Sequence, residues 1–271
     1  MAEQLAARKD GASKMTLMQI ARQVAESQKT VQEMDKITLA YPSLSVEEAY
    51  VIQRLSIDSM ISEDNKMIGW KMGLTSKAKQ QQVGVGEAIY GRLTKSMELT
   101  TQVINVKEFI HPRVEPEFAF LIKEELKGDH ITANEVWPAI ECVFLALEVI
   151  DSRYRNFSFT LSDVIADNAS SAKILLGNQR FSPYHTDWAK ASVSLYHNGR
   201  KEKEGTGAAI LDHPINSIVE LVKMINREGL TVKPGMVVLV GAITDAVAVQ
   251  SGDVVVADYG ELGKLRLTIR E

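Results

Sequence analysis

Residues 113–122 read RVEPEFAFLI, and the fold turns on how this stretch is read. Glu115 and Glu117 stand two apart at the head of an apolar run. In a β-strand successive side chains alternate sides, so both carboxylates share one face. Two anions side by side repel, and a charge beside apolar surface is costly to bury. Spacing alone leaves two readings open: a solvated outer face, or a pair waiting for a cation. The stretch also marks a change of character along the chain. Helical patterns precede it and strands dominate after it.

Upstream, MTLMQIARQVAESQ carries Leu17, Ile20, Ala21 and Val24 at helical spacing. SVEEAYVIQRLSIDSMIS opens with Ser45 and has Glu48 three residues on, a capping box. Val46, Tyr50, Ile57 and Ile61 then fall near one helix face. MIGWKMG alternates Ile68, Trp70 and Met72 against Gly69 and Lys71.

Downstream, a helix is expected from about Ala133 and a strand over 143–150, where the run is apolar and uninterrupted. Asn198-Gly199 between alternating residues is a hairpin signal. INSIVELVKMINREG reads as an amphipathic helix closed by Gly229, and KPGMVVLVG as a Pro-Gly turn into a buried strand. SGDVVVADYGELGKLRLTIR gives two further strands. No G-x-G-x-x-G or P-loop follows a strand, and regular βαβ alternation is missing. The expectation is an α+β chain. Residues 1–95 form a mainly helical N-terminal segment with the Lys71 strand, and residues 96–271 a mixed, rolled β-sheet body. Residues 1–14 lack a clear apolar stripe and are expected to be loosely held.

The 271 residues include 31 Lys and Arg against 35 Asp and Glu, a formal charge of −4. That balance argues against a nucleic-acid partner, though not against a small anionic ligand in a locally cationic site. No run approaches a membrane span or a signal peptide. The single cysteine, Cys142, excludes an internal disulfide and suits a cytoplasmic protein.

Several side chains break the local pattern. Glu148 interrupts the apolar strand in CVFLALEVIDSRY. Buried alone, it would be driven toward its neutral form. Three carboxylates with water suit octahedral Mg²⁺ or Mn²⁺ better than Zn²⁺, since no His or Cys accompanies them. A Glu flanked by apolar residues pairs with Lys or Arg at least as often, so the residues alone leave the metal open. Lys71 lies between Trp70 and Met72 near two glycines, placed to bind a carboxylate, to transfer a proton if burial lowers its pKa, or simply to snorkel. Arg153 could clamp a carboxylate or serve as a surface ion pair. Asn168, Ser170 and Ser171 form a polar turn able to meet an anion or to cap a helix. The five histidines show no metal-ligand spacing.

GWKMGLTSKAKQQQVGVGEAIYG, HPRVEPEFAF, LEVIDSRYRNFSF and VIADNASS together resemble the 2-hydroxypentadienoate hydratase and 4-oxalocrotonate decarboxylase family, within the wider fumarylacetoacetate-hydrolase-like superfamily. The likeness runs from about residue 15 to the C-terminus. KMGLTS, IYG and EVIDSRY followed by the Asn-Phe run look more like the decarboxylase. Where that family commonly has Glu-Ala-Glu, this chain has Pro116 between its glutamates, which suits a sheet edge or a strand entrance.

The resemblance implies a Mg²⁺ or Mn²⁺ site at Glu115, Glu117 and Glu148, an active-site Lys71, and a fumarylacetoacetate-hydrolase-like fold. It also implies decarboxylation of 2-oxohex-3-enedioate to 2-hydroxypenta-2,4-dienoate in meta-cleavage degradation of aromatic compounds. Arg153, Asn168, Ser170 and Ser171 are then candidates for orienting the substrate. Hydration of the dienol is the runner-up. A carbon–carbon hydrolase would want a His–Glu pair that no histidine here suggests, and a scaffold subunit would not need the four residues intact. A homo-oligomer, and a complex with the hydratase, are expected.

Overall fold

The structure, a computed structural model, describes residues 13–76 and 87–271. The rest of the N-terminus, expected to be loosely held, and the middle of the GWKMGLTSKAKQQQVGVGEAIYG motif lie outside the described residues.

In chain order the elements are α1 (Lys14–Thr30), α2 (Ile37–Ala40), α3 (Val46–Asp58), β1 (Met67–Gly73), β2 (Ile89–Thr94), β3 (Val103–Asn105), β4 (Pro112–Ile122), α4 (Ala133–Ala139), β5 (Ile140–Asp151), α5 (Leu161–Ala166), β6 (Ser171–Leu176), β7 (Ser192–His197), β8 (Arg200–Thr206), α6 (Pro214–Asn226), β9 (Val237–Leu239), β10 (Val247–Ala248), β11 (Val254–Asp258) and β12 (Lys264–Arg270). Helices thus precede a mixed, curled sheet body, as the α+β reading expects. No helix among the described residues is long and apolar enough to cross a membrane.

Local chemistry explains most boundaries. Ser45 Oγ accepts from the Glu48 amide at 3.1 Å while Glu48 Oε2 accepts from the Ser45 amide at 3.0 Å, which closes the first turn of α3. Ile61 falls beyond α3 and is 40% exposed, so the expected apolar face stops short of it. Asn198 (φ 51°) and Gly199 (φ 80°) both turn left-handed between β7 and β8, the geometry a two-residue hairpin needs. The strand expected over 143–150 begins three residues earlier, directly after α4. Gly229 (φ 70°) lies three residues past the end of α6 rather than at its immediate close.

A seven-stranded sheet runs β2-β1-β9-β4-β5-β6, with β10 also paired to β4; a five-stranded sheet runs β3-β12-β11-β7-β8. The strands of the N-terminal segment, β1 and β2, therefore belong to the same sheet as the long β4–β5 pair. One face of that pair packs toward the second sheet: Phe118 meets Trp188 edge-on at 5.1 Å and Tyr259 at 5.8 Å. On the opposite face Ala119 and Ala146 cluster with Leu93, Ile174 and Leu239 of other strands and with Ile57 of α3. Glu115 and Glu117 project on this second face.

Pro116 sits in mid-strand, not at an edge or entrance as expected. Its carbonyl accepts from Ile243 N at 2.9 Å, so it faces the segment between β9 and β10, where regular pairing with β4 is interrupted. The ladder asks for no donor there, and the missing N–H costs nothing.

Candidate metal centre and substrate pocket

Strand register builds the centre. In β4 and β5, Glu115 stands directly opposite Glu148, and Glu117 opposite Ala146, whose small side chain leaves room above it. One oxygen from each of Glu115, Glu117 and Glu148 lies within 4.8 Å of the others, and all three residues are buried. Lys71 arrives from β1, two strands away through β9. Its Nζ is 2.9 Å from Glu148 Oε2 and donates to Ala169 O at 3.1 Å. Gly91 of β2 lies opposite Lys71, and any Cβ there would press on the lysine stem.

Neighbouring groups hold the carboxylates in place. Ser171 Oγ donates to Glu148 Oε1 at 2.8 Å, and the Gly241 amide donates to Glu117 Oε2 at 2.9 Å. Gly241 has φ 115°, and a Cβ on it would fall 2.2 Å from Thr75 Oγ1, so only glycine brings this amide to Glu117. Tyr259 hydrogen-bonds the Ala146 carbonyl at 2.7 Å and lies 3.1 Å from that of Glu117, fixing the backbone beneath the centre.

The electrostatics are unbalanced. Burial pushes the Glu117 carboxyl well above its ordinary range, and repulsion from Glu148 and Glu115 adds to it. Burial also raises Glu148, opposed by the Lys71 cation. Burial alone would lower the Lys71 amine, but Glu148, Glu115 and Glu117 outweigh it and hold the amine protonated above its usual value. In this arrangement the Lys71 ammonium is a hydrogen-bond donor, to Glu148 and to the Ala169 carbonyl. Glu117 Oε1 has no protein partner. Three carboxylate oxygens within reach of one another and an orphaned buried oxygen on Glu117 fit a hard divalent ion.

The other expected substrate ligands are placed differently. Arg153 is 1% exposed, and its guanidinium is spent inside the protein. Nε pairs with Asp167 Oδ1 at 2.5 Å, Nη1 donates to Asp151 O at 2.5 Å, and Nη2 donates to Asp167 O at 2.9 Å. The donors expected to clamp a carboxylate are thus turned to Asp151 and Asp167 inside the protein. Asn168 is likewise engaged: its Oδ1 accepts from Arg92 N at 2.7 Å and its Nδ2 donates to Arg92 O at 2.9 Å, tying the turn to β2. Asn168, Ala169 and Ser170 are consecutive left-handed residues (φ 52°, 52° and 56°), a conformation costing about 1–2 kcal/mol each outside glycine. These interior bonds hold the strained turn, which delivers the Ala169 carbonyl to Lys71 and Ser171 to Glu148. Ser170 borders a cavity, with its hydroxyl 3.3 Å from Asp167 Oδ2.

A cavity of about 580 Å³ opens beside Lys71 and Glu115, walled by Phe157, Phe159 and Val164 and bordered by Arg113 and Asp245. Sequence reading missed Arg113 and the two phenylalanines. Arg113 carried a usable signal, since it continues the two-residue spacing of Glu115 and Glu117 on the same strand face.

This is the architecture of the fumarylacetoacetate hydrolase family: residues 71–270 match its C-terminal domain, and the chain belongs to that family. It is 38% identical to 4-oxalocrotonate decarboxylase of Pseudomonas sp over 252 residues, 93% of this chain and 97% of the relative. A solved 4-oxalocrotonate decarboxylase from Pseudomonas putida G7, complexed with magnesium and adipate, matches with a TM-score of 0.93 and 32% identity, covering 96% of this chain and 100% of the other. The chain is also 33% identical to 2-oxo-hept-4-ene-1,7-dioate hydratase of Escherichia coli, with 91% of this chain and 95% of the relative covered.

Proposed function

We propose that this protein is a carbon–carbon lyase that decarboxylates 2-oxohex-3-enedioate to 2-hydroxypenta-2,4-dienoate with Mg²⁺, or Mn²⁺, held by Glu115, Glu117 and Glu148. The observation that carries the reading is the buried carboxylate trio with its orphaned oxygen, set beside a cavity with aromatic walls that Glu115 and Lys71 border. The decarboxylase relatives and the magnesium and adipate of the solved one support it.

In the reaction the bond between C5 and the far carboxylate breaks. Its electron pair forms the C4–C5 double bond, the former C3–C4 pair moves to C2–C3, and the carbonyl pair moves onto the keto oxygen. A proton on that oxygen completes the product. A bound divalent ion supplies Lewis-acid stabilisation of this developing charge. Lys71, held protonated, points its ammonium at the same end of the cavity and donates to the oxygen where charge appears. Phe157 and Phe159 exclude water from the end that loses CO₂. Ser171 and the Gly241 amide keep Glu148 and Glu117 oriented, and the Asn168–Ser170 turn with Arg153 sets the position of Lys71.

The same reading takes residues 96–271 as the catalytic body and residues 1–95 as its cover plus the Lys71 strand. It places the enzyme in the cytoplasm, as a homo-oligomer able to associate with a hydratase.

The test supplies 2-oxohex-3-enedioate and Mg²⁺ and follows CO₂ and product. Release of CO₂ that stops with EDTA and with Glu117→Ala supports the proposal. Addition of water to the dienol without CO₂ release would replace it with hydratase activity, which the Escherichia coli relative makes the second reading.

A further inference from the structure

Arg113 is the residue this function has not yet used. It lies on β4 two residues before Glu115, on the same face, and borders the same cavity. Its guanidinium carbon sits 3.8 Å from the centroid of the Phe157 ring. Among the described residues no carboxylate or carbonyl pairs with that guanidinium. Asp245, which shares the cavity wall, stands 3.6 Å from Lys203 instead. A half-buried cation stacked on a ring, with its hydrogen-bonding edge unspent, is arranged to receive an anion from the cavity.

The spacing identifies which anion. A two-residue step along a strand covers roughly 7 Å. The two carboxyl carbons of an extended six-carbon diacid lie roughly 6–6.5 Å apart, five carbon–carbon bonds along a zigzag. The rise between positions 113 and 115 is close to that length, so a substrate whose keto-acid end lies at Glu115, Glu117 and Glu148 can extend along β4 toward Arg113 within the cavity both residues border. We propose that Arg113 binds the carboxylate that the reaction expels, and so selects dicarboxylates over monocarboxylates. The proposal rests on the reading that a 2-oxo diacid is the substrate.

The pairing has an unusual kinetic consequence. An ion pair to this carboxylate exists in the bound substrate and fades as the group becomes neutral CO₂. It stabilises the ground state more than the transition state. Phe157 keeps a partner on the cation after the charge is gone, which limits how strongly the ion pair restrains departure. Arg113 thus governs KM and not kcat.

The experiment uses the full-length, Mg²⁺-loaded enzyme with Arg113→Gln and Arg113→Lys. Calorimetry measures adipate, which spans both ends, and pyruvate, which occupies only the keto-acid end. The Gln variant is expected to bind adipate about 10- to 100-fold more weakly, the usual weight of a charge-assisted hydrogen bond. Pyruvate affinity should not change, and the Lys variant should recover part of the loss. With substrate, KM should rise while kcat holds or increases. Equal weakening of both ligands, unchanged adipate affinity, or a fall in kcat at constant KM overturns the proposal. If the wild-type enzyme releases no CO₂ while the adipate-specific loss stands, the reaction assignment fails and the carboxylate subsite survives. Should Arg113→Gln fail to fold, the Lys variant carries the comparison.

Discussion

The Lys71 ammonium lies 2.9 Å from Glu148 Oε2, an oxygen of the same carboxylate that would serve a divalent ion. The two cations share one ligand, so each sets the strength of the other's hold. Replacing Lys71 by Met should slow turnover by about 10²- to 10⁴-fold, the usual weight of a positioned proton donor. It should also tighten binding of the divalent ion, because a like charge has left. Turnover and Mg²⁺ calorimetry on one preparation decide this; weakened metal binding would mean that Lys71 chiefly organises the carboxylates.

Glu117 is fully buried, with one oxygen unpartnered. Glu117→Gln should abolish divalent-ion binding. It should also stabilise the metal-free protein by about 1–3 kcal/mol, because an ionisable group leaves a dry site. Denaturant titrations in EDTA measure the gain, and a loss of stability would contradict this account of the site.

The sign of the pH dependence follows from the same carboxyl. Burial holds Glu117 above its ordinary 4.5 in the folded chain, so the folded state keeps a proton that the unfolded state releases. Its contribution favours folding at low pH and is lost as pH climbs from about 4.5 toward the raised value. The melting temperature in EDTA should therefore fall over that interval. Metal binding displaces the proton, so Mg²⁺ affinity should rise with pH and the two melting curves should separate. A gap between them that does not vary with pH would rule this out.

Asn168 bonds the Arg92 backbone twice. Asn168→Ala strands a buried amide and carbonyl and should cost about 2–4 kcal/mol of stability. A substrate-binding role for Asn168 would instead show as a raised KM in a protein of unchanged stability.

A Cβ at Gly91 would lie 2.8 Å from Asn168 O and 3.1 Å from Lys71 Cγ and Cδ. Gly91→Ala should displace the ammonium and lower kcat about 10- to 100-fold, the scale of a sub-ångström to ångström misplacement. Metal affinity should change far less than turnover, and calorimetry alongside kinetics checks the split.

The strand character of β4 and β5, the Ser45 capping box and the Asn198-Gly199 hairpin were legible because each depends on neighbours in the chain. Glu148 was legible because it breaks an apolar strand, and Lys71 because it sits among aromatic and apolar residues. The interior bonds of Arg153 and Asn168 were not legible, for one physical reason. Composition displays donors but not whether the fold has already consumed them, and both are consumed by backbone groups of other elements. Arg113 was passed over because an arginine at the head of a strand has the look of an ordinary surface charge. Only the stacking on Phe157, 44 residues further on, shows that it is held in the cavity. Pro116 was placed at an edge because nothing local reveals that the neighbouring strand is interrupted beside it.

The direct opposition of Glu115 and Glu148 also bears on how the chain finds its shape. Like charges across a strand pair disfavour that alignment, and a one-residue slip of β4 would turn Glu115 and Glu117 to the opposite face from Glu148. The strand pair therefore gains from Glu148 when Lys71 docks through β9, and a divalent ion would add to that gain. Only a correctly threaded sheet brings both together. A misaligned chain can neither neutralise its acids nor capture the ion, so the centre proofreads the strand alignment that creates it.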